Sequence, residues 1–377
     1  MSYPGPPPGH PQPPPPPGYG NAPQWSPQPG QPWQAPHQPR YEPRMVAHPH
    51  PEPRSYPRML RTWDYAWWKP LVGMVLLLVG GMIVVPLLLM PVLAVAVAVQ
   101  GGSAPFLDRV IDAASLEAVT PASMLYLNLS LASLTLVAMG IVRFVHRLRP
   151  RWLSSVLPGI RWKFLFACFG LAVLALIASV AVGTLLPTQP TEISGEPNEL
   201  TGRLVATGIV ILLTTPLQAI GEEYAFRGYL MQAVGSFVDG VADSLGLSRR
   251  TASVIASTGA LLITSGLFAL AHGVQNFPLF FDRFSFGLMA GLTVILVGGL
   301  EAGIALHILN NLLAFAVAIV FADLQGALTV SEVSWWQLPV TVVQNGVFLL
   351  LVLLVARKMG LRSKTAPPVE QVPTPVA

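Results

Sequence analysis

The side chains best suited to chemistry lie in the stretch Gly221–Leu230, which reads GEEYAFRGYL. It places Glu222, Glu223 and Arg227 immediately beyond the apolar run Leu204–Ile220. An ionisable side chain near the centre of a bilayer costs roughly 2.5–3.5 kcal/mol on insertion scales, so charged residues in apolar segments are rare and usually functional. We therefore expect the chemistry of this protein to centre on this stretch.

Helix geometry separates the three charged residues. Glu223 and Arg227 are spaced i,i+4 and share one helix face, where they can form an ion pair. Glu222 is turned about 100° away from Glu223 by the helical repeat, which leaves its carboxylate free for chemistry. The alternative is that all three residues form a buried ion network that only locks the packing of helices.

Only two of the seven histidines, His272 and His307, lie in apolar segments. Phe268 shares a helix face with His272, and Asn311 shares one with His307, because each pair is one turn apart. Taken singly, each histidine is more typical of a hydrogen-bond partner between helices. Together with the Glu pair they occupy three different segments, and polar groups in hydrocarbon are driven to find one another. The sequence therefore predicts one shared polar cavity.

Such a cavity has the composition of a hydrolase that acts on carbonyl groups. Two neutral imidazoles with a carboxylate suit zinc or another divalent metal with an open position for water, which makes His272 and His307 candidate metal ligands. A further carboxylate then acts as general base, and Asn311 can stabilise an oxyanion. The chain has no His-Glu-x-x-His pattern and no Gly-x-Ser-x-Gly turn. A serine nucleophile beside either histidine stays open at this point.

The composition is that of a polytopic membrane protein. Of the 377 residues, 52% are hydrophobic and 11% are charged, against about 25% charged in soluble domains. A membrane span needs roughly 20 apolar residues, and eight apolar runs follow one another, the sixth of them short. We predict an all-α polytopic membrane bundle of about eight transmembrane helices, with no aspartate inside any span. The runs are Leu71–Val99, Ala122–Val142, Phe164–Leu186, Leu204–Leu230, Ala252–Phe281, Phe284–Leu300, Ala302–Phe321 and Leu338–Ala356.

The loops between these runs indicate the orientation. Lys and Arg dominate alternate loops, such as residues 143–163, while the loops that contain Glu192, Glu196 and Asp323 are acidic or sparse. Basic loops favour the cytoplasmic side. We predict a multi-pass protein of the cell (plasma) membrane with both termini in the cytoplasm.

The net charge of +4 is too small and dispersed to indicate a nucleic-acid partner, and the single cysteine, Cys168, excludes an intrachain disulfide.

Residues 1–58 form a separate compositional block, which holds more than half of the 38 prolines. Such a segment cannot bury enough apolar surface to fold alone, so we predict a disordered tail with polyproline II character. Pro13–Pro17 is a candidate ligand for a partner with an aromatic-lined groove, and a flexible tether is the alternative. The predicted organisation is 1–58 disordered cytoplasmic tail, 59–201 N-terminal transmembrane helices, 202–321 catalytic membrane core, 322–357 last transmembrane helix and 358–377 cytoplasmic tail.

Three motifs on successive apolar segments resemble those of a known family. They are Glu222-Glu223-x-x-x-Arg227, Phe268-x-x-x-His272 and His307-x-x-x-Asn311. In this order they resemble the motifs of the CAAX protease and bacteriocin-processing (CPBP, or Abi) family of intramembrane metalloproteases. The resemblance covers about Gly202–Phe321. One such motif alone is a weak signal, whereas three in order are a strong one.

The resemblance implies specific roles for these residues. Glu222 would activate the water, His272 and His307 would position the water or a metal, and Asn311 would stabilise the oxyanion. Glu223 belongs to the first motif and is counted with the catalytic residues. Arg227 is also part of the first motif. Because Glu223 and Arg227 share a helix face, we expect Arg227 to support the site, together with Phe268. Whether zinc or another divalent metal is tightly bound is left open by the resemblance.

The activity implied is that of an endopeptidase. It would cleave a peptide bond of a lipidated or membrane-associated protein or peptide, by direct attack of water, at or near the cytoplasmic side of the bilayer. The alternative from another functional class is a proton or ion relay, or a scaffold, that uses the same polar cluster.

Two expectations remain to be compared with the fold. With spans that enter near Arg203 and Ala252, Glu222 and His272 would lie at different depths, unless the fifth span starts later or Pro216 bends the fourth. Glu301 fits none of the motifs, so we expect it at the membrane interface.

Overall fold

The structure is a computed structural model that describes residues 41–187, 197–321 and 324–375. The chain divides into two units, one of Met1–Arg44 with Pro373–Ala377 and one of Met45–Val372. The described helices all belong to the second unit.

Some of the predictions fall on residues outside these ranges. They include the first 40 residues of the proline-rich tail with Pro13–Pro17, and the acidic loop residues Glu192, Glu196 and Asp323. The expectations of disorder and of a partner for the tail stay predictions there.

The described chain is built almost entirely from helices. Two short strands, β1 Tyr41–Ala47 and β2 Val369–Pro375, pair in a two-stranded sheet near the ends of the chain. The helices are α1 Trp68–Val79, α2 Val85–Gln100, α3 Phe106–Ser115, α4 Pro121–Ala132, α5 Leu134–Phe144, α6 Trp162–Leu185, α7 Gly202–Glu223, α8 Met231–Ser244, α9 Arg249–Leu270, α10 Phe277–Val297, α11 Glu301–Phe321, α12 Leu324–Thr329 and α13 Gln337–Lys358. Helical turns of π type, Gly80–Val84 and Tyr224–Leu230, join α1 to α2 and α7 to α8.

Eight helical stretches in the described residues are long and apolar enough to cross a membrane. The pairs α1–α2, α4–α5 and α7–α8 each form one continuous stretch, and α6, α9, α10, α11 and α13 are the others. The predicted all-α bundle of about eight transmembrane helices is confirmed, and the protein is a multi-pass integral membrane protein.

The boundary between the fifth and sixth spans differs from the prediction. The run Ala252–Phe281 is broken after Leu270, because Gly273 adopts a positive φ of 82° that only glycine adopts without strain. Asn276 then caps α10 through a bond from the Leu279 backbone N–H to its side chain. The sixth span therefore starts earlier than predicted, and it contains Asp282, so the expectation that no aspartate lies inside a span is wrong.

The fourth span is longer than predicted, and this removes the mismatch in depth. The helix that carries the glutamates continues beyond Leu230 to Ser244, and α9 packs beside α8 as it runs back. Glu222 lies about 22 residues before the end of α8, and His272 lies about the same number of residues after the start of α9. At ~1.5 Å per residue, both are roughly 33 Å from the turn between α8 and α9. The two residues therefore reach the same level of the bundle.

The last part of the predicted tail is packed rather than disordered. Tyr56 is fully buried and its hydroxyl donates to the Leu153 carbonyl. Arg54 and Arg58 are also buried, and both contact the carboxylate of Asp239 on α8, which is 2% exposed. A buried carboxylate needs paired charges, and these arginines supply them. The prediction of a disordered segment is therefore wrong for the described residues up to 58.

The sequence predicts Glu301 at the membrane interface, and the structure shows it fully buried within the protein at the first residue of α11. Arg161, which precedes α6, binds it through two nitrogens: Nε to Oε1 at 2.9 Å and Nη2 to Oε2 at 2.6 Å. A bidentate Arg–carboxylate pair is geometrically specific. It holds the start of α11 against the start of α6, and α11 carries His307.

Candidate active site

The two glutamates lie where α7 passes into the π turn Tyr224–Leu230. Single π turns inside α-helices occur frequently at functional sites, because the wider turn changes the direction of its side chains. Glu222 is 8% exposed and Glu223 is fully buried. Two adjacent carboxylates are thus held inside the bundle, each with a different set of neighbours.

Glu223 binds its predicted partner. Arg227 Nη1 donates to Glu223 Oε1 at 2.9 Å, so the predicted i,i+4 ion pair is present, and Arg227 is 1% exposed. The guanidinium also lies over the Phe268 ring, 3.9 Å from its centroid, and 5.2 Å from that of Phe286. A desolvated cation over aromatic faces is stabilised by the ring quadrupoles. Phe268 therefore supports the site through Arg227.

His307 joins the two glutamates. Its Nδ1 lies 2.9 Å from Glu223 Oε1, and its Nε2 lies 3.4 Å from Glu222 Oε2. Because the Glu223 carboxylate is an acceptor, we place the proton of a neutral imidazole on Nδ1. Nε2 is then an acceptor that faces the Glu222 carboxylate. The close approach of α11 depends on Gly303, since a Cβ at that position would lie 2.6 Å from Glu223 Oε2.

Glu222 is held by one oxygen only. Gln218 Nε2 donates to Glu222 Oε1 at 2.7 Å, whereas Glu222 Oε2 is buried and has no hydrogen-bond partner among the described residues. Gln218 Oε1 in turn accepts from Asn311 Nδ2 at 3.1 Å. Gln218 therefore links the predicted base to the predicted oxyanion partner.

Sequence reasoning missed both Gln218 and Phe286. Gln218 carried a usable signal, because it is an amide in an apolar run, one turn before Glu222. Phe286 lies on α10, and its ring centroid is 5.0 Å from that of His307. Nothing in the sequence distinguishes it from the other phenylalanines of the same span.

His272 lies just after the last residue of α9, at the open edge of the cluster. Its Nδ1 is 2.7 Å from the Phe268 carbonyl, so Nδ1 carries the proton and Nε2 is free. The Phe268 ring is in edge contact with both histidines, at 4.8 Å from the His272 centroid and 5.8 Å from the His307 centroid. Glu222 and His307 are close enough to act electrostatically on His272.

The structure thus gathers residues from four helices: Gln218, Glu222, Glu223 and Arg227 from α7 and the π turn, Phe268 and His272 from α9 and its end, Phe286 from α10, and His307 and Asn311 from α11. All of these residues lie in one segment that matches a known protein family. Residues 204–313 match the family model described as type II CAAX prenyl endopeptidase Rce1-like. This segment is an Rce1-like domain of the CPBP family.

The Rce1-like domain covers fewer than half of the 377 residues, but it contains all the residues of the cluster. The match supports protease activity within the membrane in general terms. No curated protein and no solved structure matches the chain. The individual roles of the residues therefore rest on the geometry.

The predicted metal site requires several ligand side chains close together. Among the described residues, no three His, Cys, Asp or Glu side chains are placed to hold a metal ion together. Nδ1 faces an acceptor in both His272 and His307, which leaves Nε2 of His272 without a partner among the described residues and Nε2 of His307 facing Glu222 Oε2. This tautomer suits a bound water as well as a metal. The described side chains do not form the ligand set of a tight zinc site, so a bound metal stays a prediction.

Proposed function

We propose that the protein is an intramembrane endopeptidase that hydrolyses a peptide bond of a lipidated or membrane-associated substrate, with Glu222 as the general base. The observation that carries this proposal is the pair formed by Glu222 Oε2 and His307 Nε2, 3.4 Å apart. Both atoms are acceptors in the assigned tautomer, and the other oxygen of Glu222 is fixed by Gln218. Two acceptors directed at one point are suited to hold a water by its two hydrogens.

The proposed reaction begins with that water. Its oxygen attacks the peptide carbonyl as Glu222 Oε2 takes one proton, which forms the new C–O bond. The C–N bond then breaks, and Glu222 returns the proton to the leaving amine nitrogen. General-base catalysis of this kind typically contributes 10²–10⁴-fold.

The neighbouring residues support this step in different ways. Asn311 uses one of its two amide hydrogens on Gln218, so the second is available to the oxyanion. Glu223 and Arg227 fix the tautomer and orientation of His307. His272 lies at the exposed edge with Nε2 free, where it can bind the incoming carbonyl or water.

The substrate class is inferred from the family and the location. The matching family is described as one of CAAX prenyl endopeptidases, and the cluster lies within helices that span the membrane. We infer a substrate that reaches the site from the bilayer, as a lipidated C-terminal peptide would. The distribution of Lys and Arg supports placing both termini in the cytoplasm.

The test is cleavage by purified, reconstituted protein with Glu222→Gln beside the parent. Gln preserves the shape and the bond to Gln218 but cannot take a proton, so we expect cleavage to fall at least about 100-fold. The probes are a peptide with a prenylated C-terminal cysteine, the same peptide without the lipid, and a transmembrane peptide. Glu332→Gln, at an exposed carboxylate, is the matched control and should cleave like the parent.

The outcomes separate the alternatives. Full cleavage by Glu222→Gln would overturn the assignment of the base. Metal analysis of the parent and of His272→Ala with His307→Ala tests the metal prediction on the same samples, where about one metal per chain lost in the double variant would support a bound ion.

A further inference from the structure

A second set of polar side chains lies in the membrane-spanning helices outside the catalytic cluster. Gln337, Thr341, Gln344 and Asn345 recur along one face of α13 at spacings of four, three and one residues. This face packs against α10 and contacts α11. We call these four residues and their side-chain partners on α10 and α11 the polar track.

The outer end of the polar track contains a carboxylate. Asp282 on α10 accepts hydrogen bonds from the Thr341 hydroxyl and, at 3.2 Å, from Gln337 Nε2. The next step is Asn345 Nδ2, which donates to the Ser285 hydroxyl at 3.0 Å. Asp282 and Ser285 are three residues apart on α10 and therefore lie on the same face of the helix.

The inner end of the polar track reaches the catalytic cluster. Gln344 Nε2 donates to Asn310 Oδ1 at 3.2 Å. This bond connects the polar side chains of α13 to those of α11. The next residue of α11 is Asn311, whose amide binds Gln218, and Gln218 binds Glu222. Polar groups thus continue from the start of α13 to the proposed base.

Packing between helices does not account for all of these groups. Hydrogen bonds between transmembrane helices stabilise the bundle only weakly, whereas placing a carboxylate inside a span costs several times more. Asn345 is 7% exposed, yet its Oδ1 accepts no hydrogen bond from the described residues. A buried acceptor without a protein partner is normally satisfied by water.

We propose that the polar track is a hydrated path along which water reaches Glu222. The inference rests on the proposed function, because peptide hydrolysis consumes one water for each bond cleaved. Phe268 and Phe286 form an apolar wall beside His307, and the substrate is proposed to enter at the open edge beside His272. Water therefore needs a polar route from another direction while substrate occupies that edge. The polar track begins at the end of the bundle where α10 and α13 start. From there it supplies hydrogen-bonding side chains towards Glu222.

The test is the accessibility of introduced thiols to Ag⁺, a small hydrophilic ion that reacts with cysteine. Thr341→Cys and Ser285→Cys are nearly isosteric changes on the two sides of the polar track, made in a Cys168→Ala background. The protein is reconstituted in lipid vesicles, exposed to Ag⁺, denatured and labelled with a maleimide to count the thiols left unreacted. We expect both cysteines to react at least tenfold faster than a buried thiol off the polar track.

The matched control is Thr293→Cys on α10. Thr293 is fully buried like Thr341, which is 3% exposed, but its hydroxyl bonds only to the Ala290 carbonyl of its own helix. The parent chain gives a second reference through Cys168, which is fully buried in the core. Equal reaction rates for Thr341→Cys, Ser285→Cys and Thr293→Cys would overturn the hydrated path and leave the polar track as dry packing.

The reaction rates of the introduced thiols with Ag⁺ do not depend on whether the protein cleaves a peptide. Rapid reaction at the polar track with no cleavage by the parent would support the path while counting against the protease. Slow reaction with cleavage that needs Glu222 would do the reverse. Thr341 and Ser285 lie on different helices, so a folding defect in one variant does not remove the test.

Discussion

At the scale of single residues, the two adjacent glutamates are distinguished by what binds them. Glu223 Oε1 receives both Arg227 and His307, so its charge is compensated inside the bundle. Glu222 receives one neutral donor from Gln218 and keeps a second oxygen free. The first carboxylate is therefore suited to hold other groups in place, and the second to exchange a proton.

This difference predicts opposite results for the same change at neighbouring positions. Glu223→Gln removes the anion that pairs with buried Arg227, and breaking a buried pair costs roughly 3–5 kcal/mol. Glu222→Gln keeps the bond from Gln218 and leaves no charge unpaired. We expect a clear fall in the thermal unfolding temperature of the purified protein for Glu223→Gln alone.

The contrast is measured on both variants in the same detergent. Equal unfolding temperatures for Glu223→Gln and the parent would show that the ion pair does not stabilise the fold. A comparable fall in Glu222→Gln would mean that the free oxygen has a stabilising partner.

The polar residues of the cluster could be predicted from the sequence because charged and strongly polar side chains are rare in apolar runs. Glu222, His272, His307 and Asn311 stood out on that basis, and the structure brings them together. Gln218 was missed although it lies one turn before its partner Glu222, whereas the burial of Glu301 depends on a partner far away in the sequence. Arg161 precedes Glu301 by 140 residues.

At the scale of elements, the position of Glu222 depends on how closely α7 approaches α4. Gly221 lies against the backbone at Leu131, and a Cβ there would be 2.0 Å from the Leu131 oxygen. Backbone atoms cannot move aside as a flexible side chain can. Gly221 therefore allows a contact that fixes the depth and rotation of α7 immediately before Glu222 and Glu223.

We expect Gly221→Ala to lower both cleavage and thermal stability, because α7 must shift away from α4. Overpacking of a tight contact typically costs 1–3 kcal/mol. Gly208→Ala on the same helix is the control, since its Cβ would meet only Ile319 Cδ1 at an ordinary 3.6 Å. Cleavage and unfolding assays of the two variants check this, and an unaffected Gly221→Ala would show that α7 and α4 can separate without cost.

The elements were predictable in number but less so at their ends. Eight apolar runs gave eight spans, because the length of an apolar run is set by the bilayer. The break at Gly273 and the continuation of α7 into α8 were not resolved by hydropathy, which does not register a single positive φ. The polar cap residue Asn276 and Pro278 after it were the local signals of the break.

At the scale of the whole molecule, residues near both ends of the chain meet. The Thr365 backbone N–H donates to the Arg54 carbonyl at 2.9 Å, and the Arg54 N–H donates to the Thr365 hydroxyl at 2.8 Å. Burial of His50 in the same segment lowers its pKa to about 4, so the ring is neutral at pH 7. The segment before α1 is thus part of the folded unit, which composition alone could not reveal because its prolines continue from the tail.

Two truncations, which start at the natural methionines Met45 and Met59, test this division of the chain. The first removes only residues 1–44, which lie outside the unit that contains the helices, and we expect cleavage and unfolding temperature to stay close to those of the parent. The second also removes Tyr56 and two arginines, Arg54 and Arg58, that pair with Asp239. We expect it to unfold at a clearly lower temperature or to aggregate, because a buried carboxylate loses most of its compensation.

Asp239→Asn in the full-length chain distinguishes loss of this charge pairing from loss of the segment's other contacts. Arg54, Arg58 and Arg61 approach the Asp239 carboxylate at 3.3, 2.7 and 3.3 Å. Neutralising the carboxylate leaves these arginines near one another without their shared anion, so the variant should be destabilised in the same direction as the chain that starts at Met59. A stable Met59 chain would contradict the assignment of residues 48–58 to the folded unit. If the chain that starts at Met59 is destabilised while Asp239→Asn is stable, the stabilisation by this segment comes from Tyr56 and from the backbone pairing with Thr365.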